Sequence, residues 1–157
     1  MKIVVGAIGK TRRSPEAELC ADYESRFAAL CRPLGLKPLS VMTWDEPAGP
    51  DLAEREAHKL RKALVPGGRL VVLDERGRSM TSPDLAATLS RWRDAGVPTA
   101  SFLIGGAAGL APSLRAEADL VLGFGAATWP HMLARVMLLE QLYRASTIMA
   151  GHPYHKA

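Results

Sequence analysis

Two glycine-rich segments stand near each other in the last third of the chain, each directly after a short apolar run. Gly105-Gly106-Ala107-Ala108-Gly109 follows Leu103-Ile104, and Gly123-Phe124-Gly125-Ala126-Ala127-Thr128-Trp129 follows Val121-Leu122. Glycine removes the side chain that would otherwise separate main-chain N–H and C=O groups from a ligand. Paired loops of this kind therefore predict a pocket that holds a small molecule by backbone hydrogen bonds. Their position argues against a common alternative, because a dinucleotide-binding domain carries its glycine fingerprint after the first strand. Here the richest loops follow the last two. An anion loop over residues 105–109 for a phosphorylated metabolite is a further use of such glycines, but no Walker-type lysine or ribose-binding acid accompanies them.

The groups able to move protons or stabilise an anion gather at the carboxyl end: His152, Tyr154, His155 and Lys156, with Arg135 and Arg144 ahead of them. The His152/His155 pair has no convergent thiolate or carboxylate to complete a metal site, so no metal is expected. His131, after Pro130, reads as a residue satisfying backbone at a helix start, and His58 as part of a charged helix face. Cys20 and Cys31 fall in one predicted helix, too far apart along it to bridge, and read as core packing.

Strands are predicted for the apolar, β-branched runs at residues 2–7, 39–43, 69–73, 100–104 and 120–122. The third and fourth are almost unbroken in hydrophobicity, which suits a parallel sheet covered on both faces. Helical periodicity lies between them. Residues 15–31 carry Leu19, Tyr23, Phe27 and Leu30 on one side, and residues 51–65 carry Ala53, Ala57, Leu60 and Leu64 at helical spacing. Ser82-Pro83-Asp84 reads as a capped helix start, with the helix stopping before Gly96. The alternation makes the chain an α/β protein with a mostly parallel sheet and helices on both faces, one domain over residues 1–157.

The helix predicted from Pro130 differs from the others. Met132, Leu133, Val136, Met137, Leu138, Leu139, Leu142 and Tyr143 occupy nearly its full circumference, so it must be covered on two sides. The second cover is either another subunit, giving a two-fold homodimer, or the rest of the protomer. Glu140 and Arg144 are spaced for an i,i+4 ion pair.

With 157 residues, 48% hydrophobic and 23% charged, the chain can build a real core. No apolar stretch reaches the roughly 18 residues of a membrane span, and the start does not read as a secretory signal, so a soluble cytoplasmic protein is expected. The formal net charge of +4 leans toward a polyanionic partner. Lys10-Thr11-Arg12-Arg13 follows the first strand, where it could touch RNA phosphates or simply aid solubility.

Laid end to end, these segments resemble the RlmH (YbeA-type) family of the SPOUT methyltransferase superfamily. The resemblance rests on Met1-Lys2-Ile3 through Gly9-Lys10, on Val72-Leu73-Asp74-Glu75-Arg76-Gly77, on Leu103-Ile104-Gly105-Gly106 with Gly109-Leu110, and on Pro130-His131. It closes with Glu140-Gln141-Leu142-Tyr143-Arg144-Ala145 and the tail His152-Pro153-Tyr154-His155-Lys156. Two segments depart from the pattern. Where members commonly read Gly-Gly-Pro-Glu-Gly, this chain has Ala107 and Ala108, without the acid. Phe124-Gly125-Ala126-Ala127-Thr128-Trp129 replaces the usual Leu-Ser-Ala-Leu-Thr-Leu.

The resemblance implies a C-terminal deep trefoil knot and S-adenosylmethionine as cofactor, contacted by Leu73, Gly105, Phe124, Gly125, Ala126, Ala127, Thr128 and Trp129. It implies methylation of N3 of a pseudouridine in 23S rRNA on assembled ribosomes, by a homodimer in which one subunit's tail stands near the other's cofactor. No membrane or DNA partner is expected. An imide nitrogen becomes a nucleophile when its proton leaves, and the resulting anion wants a cation or N–H donor. His155, Tyr154 and Arg144 are the catalytic candidates. His155 could be the base or a donor to the RNA, or only an exposed histidine; Tyr154 could stack on the base or merely anchor the tail. Trp129 and Phe124 could line an adenine pocket or belong to the core. The alternative function is a non-catalytic RNA-binding or ribosome-assembly factor with the same fold.

Overall fold

The apolar runs pair into one five-stranded sheet in the order β2-β1-β4-β3-β5, with every pairing parallel. In this computed structural model, which describes residues 1–10 and 12–156, the strands are β1 (Lys2–Ile8), β2 (Ser40–Trp44), β3 (Arg69–Ser79), β4 (Thr99–Ile104) and β5 (Leu120–Gly123). The helices are α1 (Pro15–Cys31), α2 (Leu52–Leu60), α3 (Ser82–Asp94), α4 (Pro112–Glu117) and α5 (His131–Met149). Thr11, within the basic segment after β1, and Ala157 lie outside the described residues.

Alternation along each strand sends side chains to two separate cores. Ile3, Val5 and Ala7 of β1 and Ala100, Phe102 and Ile104 of β4 face a core closed by residues of α1, α3 and α5. Val4 and Ile8 of β1, with Leu70 and Val72 of β3 and Leu103 of β4, face Ala57 and Leu60 of α2 and Leu114 of α4. β1 and β4 are buried along nearly their whole length, as central strands covered on both faces must be.

Boundaries differ from the sequence-based expectation in three places, each for a local reason. The helix expected over residues 51–65 ends at Leu60 and tightens into a 3-10 turn, Arg61–Ala63. Thr81, not Ser82, caps α3: its hydroxyl accepts from the Asp84 N–H at 3.2 Å while the Asp84 carboxylate accepts back from the Thr81 N–H at 3.3 Å. The Ser82 hydroxyl instead donates to Gln141 Oε1 on α5 at 2.7 Å. β3 runs on to Ser79 because Arg78 and Ser79 resume pairing with Leu122 and Gly123 beyond a register shift. Gly77 permits this approach, since a Cβ there would lie 2.5 Å from the Leu122 carbonyl carbon.

α5 packs against both α1 and α3. Leu138, Leu139 and Leu142 are fully buried and Tyr143 nearly so, whereas Leu133 remains 39% exposed. Much of its apolar circumference is thus covered inside the protomer. Cys20 and Cys31 are buried in α1 as free thiols, and burial raises the Cys20 pKa, the character of an unreactive core thiol. Among the described residues no helix is long and apolar enough to cross a membrane.

Candidate functional site

The stretch of β3 from Leu73 to Arg76 and the loops that follow β4 and β5 wall a single cavity of about 780 Å³. β3 contributes Leu73, Asp74, Glu75 and Arg76; β4 leads into residues 104–110; β5 leads into residues 124–131, with His131 and Ala134 of α5 closing the side. Open α/β sheets collect ligands at this end because the loops, unlike the strands, have backbone groups to spare. Every expected cofactor contact except Ala126 lies on the wall: Leu73, Gly105, Phe124, Gly125, Ala127, Thr128 and Trp129.

Four sets of contacts hold this wall in place. The Thr128 hydroxyl donates to Glu75 Oε2 at 3.0 Å, joining the loop after β5 to β3. The Trp129 indole N–H donates to the Phe124 carbonyl at 3.1 Å, folding residues 124–129 back on themselves. Arg115 of α4 pairs with Asp74, whose other oxygen accepts from the Arg76 N–H at 2.9 Å. Beneath the glycine loop, Glu56 of α2 accepts from the Gly106 N–H at 3.0 Å.

The lining charges balance, Asp74 and Glu75 against Arg76 and Arg115, with Arg115 committed to Asp74, and a further carboxylate, Glu56, lies under the loop. Burial raises the Glu56 carboxyl above its ordinary range, outweighing the opposing Gly106 hydrogen bond. A loop with a buried carboxylate on one of its amides is a poor seat for a phosphate, which disfavours the anion-loop reading of residues 105–109.

The tail docks elsewhere. Tyr154 donates its hydroxyl to Glu140 Oε1 at 3.1 Å, and its ring centroid lies 4.8 Å from that of Tyr143. The Arg144 guanidinium sits 4.8 Å over the Tyr154 ring while Arg144 Nε donates to Glu140 at 2.9 Å, so the expected i,i+4 pair forms and also seats the tail. Burial above all, then hydrogen bonds with Tyr23 and Glu140, push the Tyr154 hydroxyl pKa up, so its proton is firmly held. His155 is half-buried, and its Nδ1 is shielded from solvent without a hydrogen-bond partner. None of Arg144, Tyr154 and His155 lines the cavity of its own protomer.

Arg135, also on α5, is 1% exposed and donates through Nη2 to the carbonyls of Ile8 and Gly9 at 3.3 and 2.8 Å. It fixes the end of β1, from which the basic segment with the exposed Arg12 and Arg13 departs. His131 Nε2 stands nearby, 3.2 Å from where a Cβ on Gly9 would be, so its ring packs on the β1 end as well as lining the cavity.

Sequence reasoning missed Glu56, Arg115, Ile104 and Ala134 as site residues. Arg115 carries no local signal, because the six-residue α4 is too short to show a period. Glu56 is masked by its charge, although it precedes Ala57 on the buried edge of α2. Ile104 could have been found, since it immediately precedes Gly105.

The model of the SPOUT_MTase family, described as "Predicted SPOUT methyltransferase", matches residues 1–155. The chain is 53% identical over 160 residues to the ribosomal RNA large subunit methyltransferase H of Rhodopseudomonas palustris strain HaA2, covering all of both chains. It is 52% identical over 156 residues to the protein of that name from Cereibacter sphaeroides strain ATCC 17023, covering 99% of each. Among solved structures, a "probable methylase family protein" from Haemophilus influenzae Rd KW20 superposes with a TM-score of 0.55 at 11% identity. That match covers 99% of this chain and 70% of the other, and it speaks to the fold alone.

Proposed function

Because the chain belongs to the SPOUT methyltransferase family, we propose that it transfers methyl groups from S-adenosylmethionine to large-subunit ribosomal RNA. We take the acceptor to be N3 of a pseudouridine in 23S rRNA on assembled ribosomes. The observation that carries the reading is the convergence of β3 and the loops after β4 and β5 on one cavity at the carboxyl edge of the sheet.

The cavity suits the cofactor by size and by chemistry. Its volume of about 780 Å³ lies within the roughly 300–1,000 Å³ of small-molecule sites. Leu73, Ile104, Leu122, Phe124 and Trp129 supply an apolar wall for a purine, and the glycine-rich loops supply backbone donors and acceptors. The Glu75 carboxylate, held on the wall by the Thr128 hydroxyl, offers a negative charge to a sulfonium.

When bound, S-adenosylmethionine supplies an electrophilic methyl group on a sulfonium. Leu73, Gly105 and residues 124–129 would hold it, and the Thr128–Glu75 and Trp129–Phe124 bonds keep their loops rigid, so alignment costs little at the moment of reaction. His155 takes the imide proton at a ring nitrogen. Arg144, whose charge is stabilised by Glu140, faces the anion left on the pyrimidine oxygens. Tyr154, sandwiched between Tyr143 and Arg144, sets where both stand.

We further propose that the protein acts as a homodimer in which the tail of one protomer completes the cavity of the other. The docking of the tail on α5, outside its own protomer's cavity, supports this arrangement. The trefoil knot, a cytoplasmic location and the treatment of residues 1–157 as one unit belong to the same proposal.

Incubating the purified protein with tritiated S-adenosylmethionine and, separately, free 23S rRNA, 50S subunits and 70S ribosomes tests the assignment. Label is expected in 23S rRNA of the 70S sample. Label on tRNA only, or cofactor binding with no transfer to any ribosomal substrate, would overturn it, the latter in favour of a non-catalytic RNA-binding factor.

A further inference from the structure

Glu56 and Arg135 are the two charged residues buried as a whole, backbone and side chain together, among the described residues. Arg135 caps the end of β1. Glu56, 3% exposed, makes no ion pair among the described residues. His131 and Lys59 attract it at longer range and Glu46 repels it. A buried carboxylate kept without an ion pair is costly, and an apolar residue at this edge of α2 would pack against β1 without that cost. Some other requirement must retain the acid.

That requirement is the shape of the glycine loop. Glu56 Oε2 accepts from the Gly106 N–H at 3.0 Å, directing this amide to α2. Its other oxygen occupies the space a side chain on residue 106 would need: a Cβ there would lie 2.6 Å from Oε1 and 3.0 Å from Ile8 Cγ2. The Gly106 carbonyl then accepts from the Gly109 N–H at 3.1 Å, closing a turn whose last residue has φ +77°. Gly105, Ala107 and Ala108 on this turn face the cavity. Glu56 and Gly106 thus interlock: the carboxylate needs a residue without a side chain, and the turn needs the carboxylate to fix its first amide.

We propose that Glu56 is a positioning residue for the cofactor, setting the conformation of residues 105–109 through its hydrogen bond to Gly106 without itself lining the cavity. The inference rests on the reading of that cavity as the S-adenosylmethionine site. It deepens that reading by assigning the loop's geometry to a residue on another element.

The test titrates S-adenosylmethionine calorimetrically into the full chain and four variants: Glu56→Ala, Glu56→Gln, Gly106→Ala and the Glu56→Ala/Gly106→Ala double. It also measures KM and kcat on 70S ribosomes, with melting temperatures alongside. Glu56→Ala is expected to weaken cofactor binding about ten-fold or more, with KM for the cofactor rising by more than kcat falls. Glu56→Gln should recover most of the loss, because its amide oxygen can accept the same N–H. Gly106→Ala should weaken binding in the unmodified background and add less once Glu56 is alanine, since the oxygen its methyl strikes at 2.6 Å is gone and only the 3.0 Å approach to Ile8 Cγ2 remains. Should Glu56→Ala not fold, Glu56→Asp replaces it, its carboxylate falling one methylene short of Gly106.

Cofactor affinity within about two-fold of the unmodified protein in Glu56→Ala would overturn the inference, as would a lowered melting temperature with KM unchanged. Full additivity of the two alanine substitutions would do the same. Absence of binding heat with the unmodified protein would sink the cofactor reading itself, and is seen before any variant is compared.

Discussion

Arg115 donates from both Nε and Nη2 to a single oxygen of Asp74, at 3.1 and 2.5 Å, joining α4 to the point where β3 enters the cavity wall. The Asp74 side chain is 8% exposed and that of Arg115 30%. Removing the arginine leaves a largely buried carboxylate with only the Arg76 N–H. Arg115→Ala should therefore cost about 1–3 kcal/mol of stability, roughly 2–10 °C in melting temperature, measured by thermal denaturation. A variant that melts with the unmodified protein would show the pair to be solvated.

Glu56 gives an unusual sign to the pH dependence. Burial raises its carboxyl above the ordinary value of 4.5, with Glu46 adding to the rise and the Gly106 N–H, His131 and Lys59 opposing it. The folded chain binds this proton more tightly than the unfolded chain. The stability it contributes is therefore full below the unfolded value and is lost as pH rises through the folded one. Glutamine does not titrate. The melting temperature of Glu56→Gln minus that of the unmodified protein should become more positive as pH rises above the ordinary carboxyl value of 4.5. A difference that stays flat, or falls, would contradict the burial argument.

Tyr154 separates anchoring from chemistry. Its hydroxyl is bonded to Glu140 at 3.1 Å and its pKa is raised, chiefly by burial, so it does not act as a base. Tyr154→Phe keeps the ring between Tyr143 and Arg144; transfer should stay within about three-fold with an unchanged pH profile, at a stability cost of about 0.5–1.5 kcal/mol. Removing residues 154–157 should abolish transfer while cofactor affinity stays within a few-fold. Single-turnover transfer to 70S ribosomes distinguishes the two variants, and equal loss in both would return the hydroxyl to the chemistry.

Trp129 reports on the cavity. It is 44% exposed, lines the wall and donates to the Phe124 carbonyl. S-adenosylmethionine should change the intrinsic fluorescence, and Trp129→Phe should remove most of that change although Trp44 and Trp92 remain. Trp129→Ala should weaken binding about ten-fold, the scale of one lost aromatic wall. An unaltered signal in Trp129→Phe would place the ligand away from this loop.

Local composition determined a good deal of this protein. Strands covered on both faces must be apolar throughout, so β1, β3 and β4 stand out as runs of Val, Ile, Leu and Phe, and their alternation with periodic helical segments makes the class α/β. Glycine clusters directly after β4 and β5 marked both cavity loops, because bare backbone is a property of residue type. The Glu140–Arg144 spacing was enough to foresee their pair.

Only the tertiary structure decided the remainder, because those features arise from elements distant in the chain. The polar stretch from Asp74 to Ser79 has no strand pattern, and it becomes strand where Arg78 and Ser79 meet Leu122 and Gly123. Glu56 belongs by its charge to the outer face of an amphipathic helix. It is buried because a loop 50 positions later folds over it and offers an N–H. Tyr154 could have reached into solvent or toward a ligand, and its place was set by the ring of Tyr143 and the carboxylate of Glu140. Periodicity and residue type encode which faces seek water and which avoid it, whereas the pairing of one donor with one distant acceptor exists only once the chain has closed on itself.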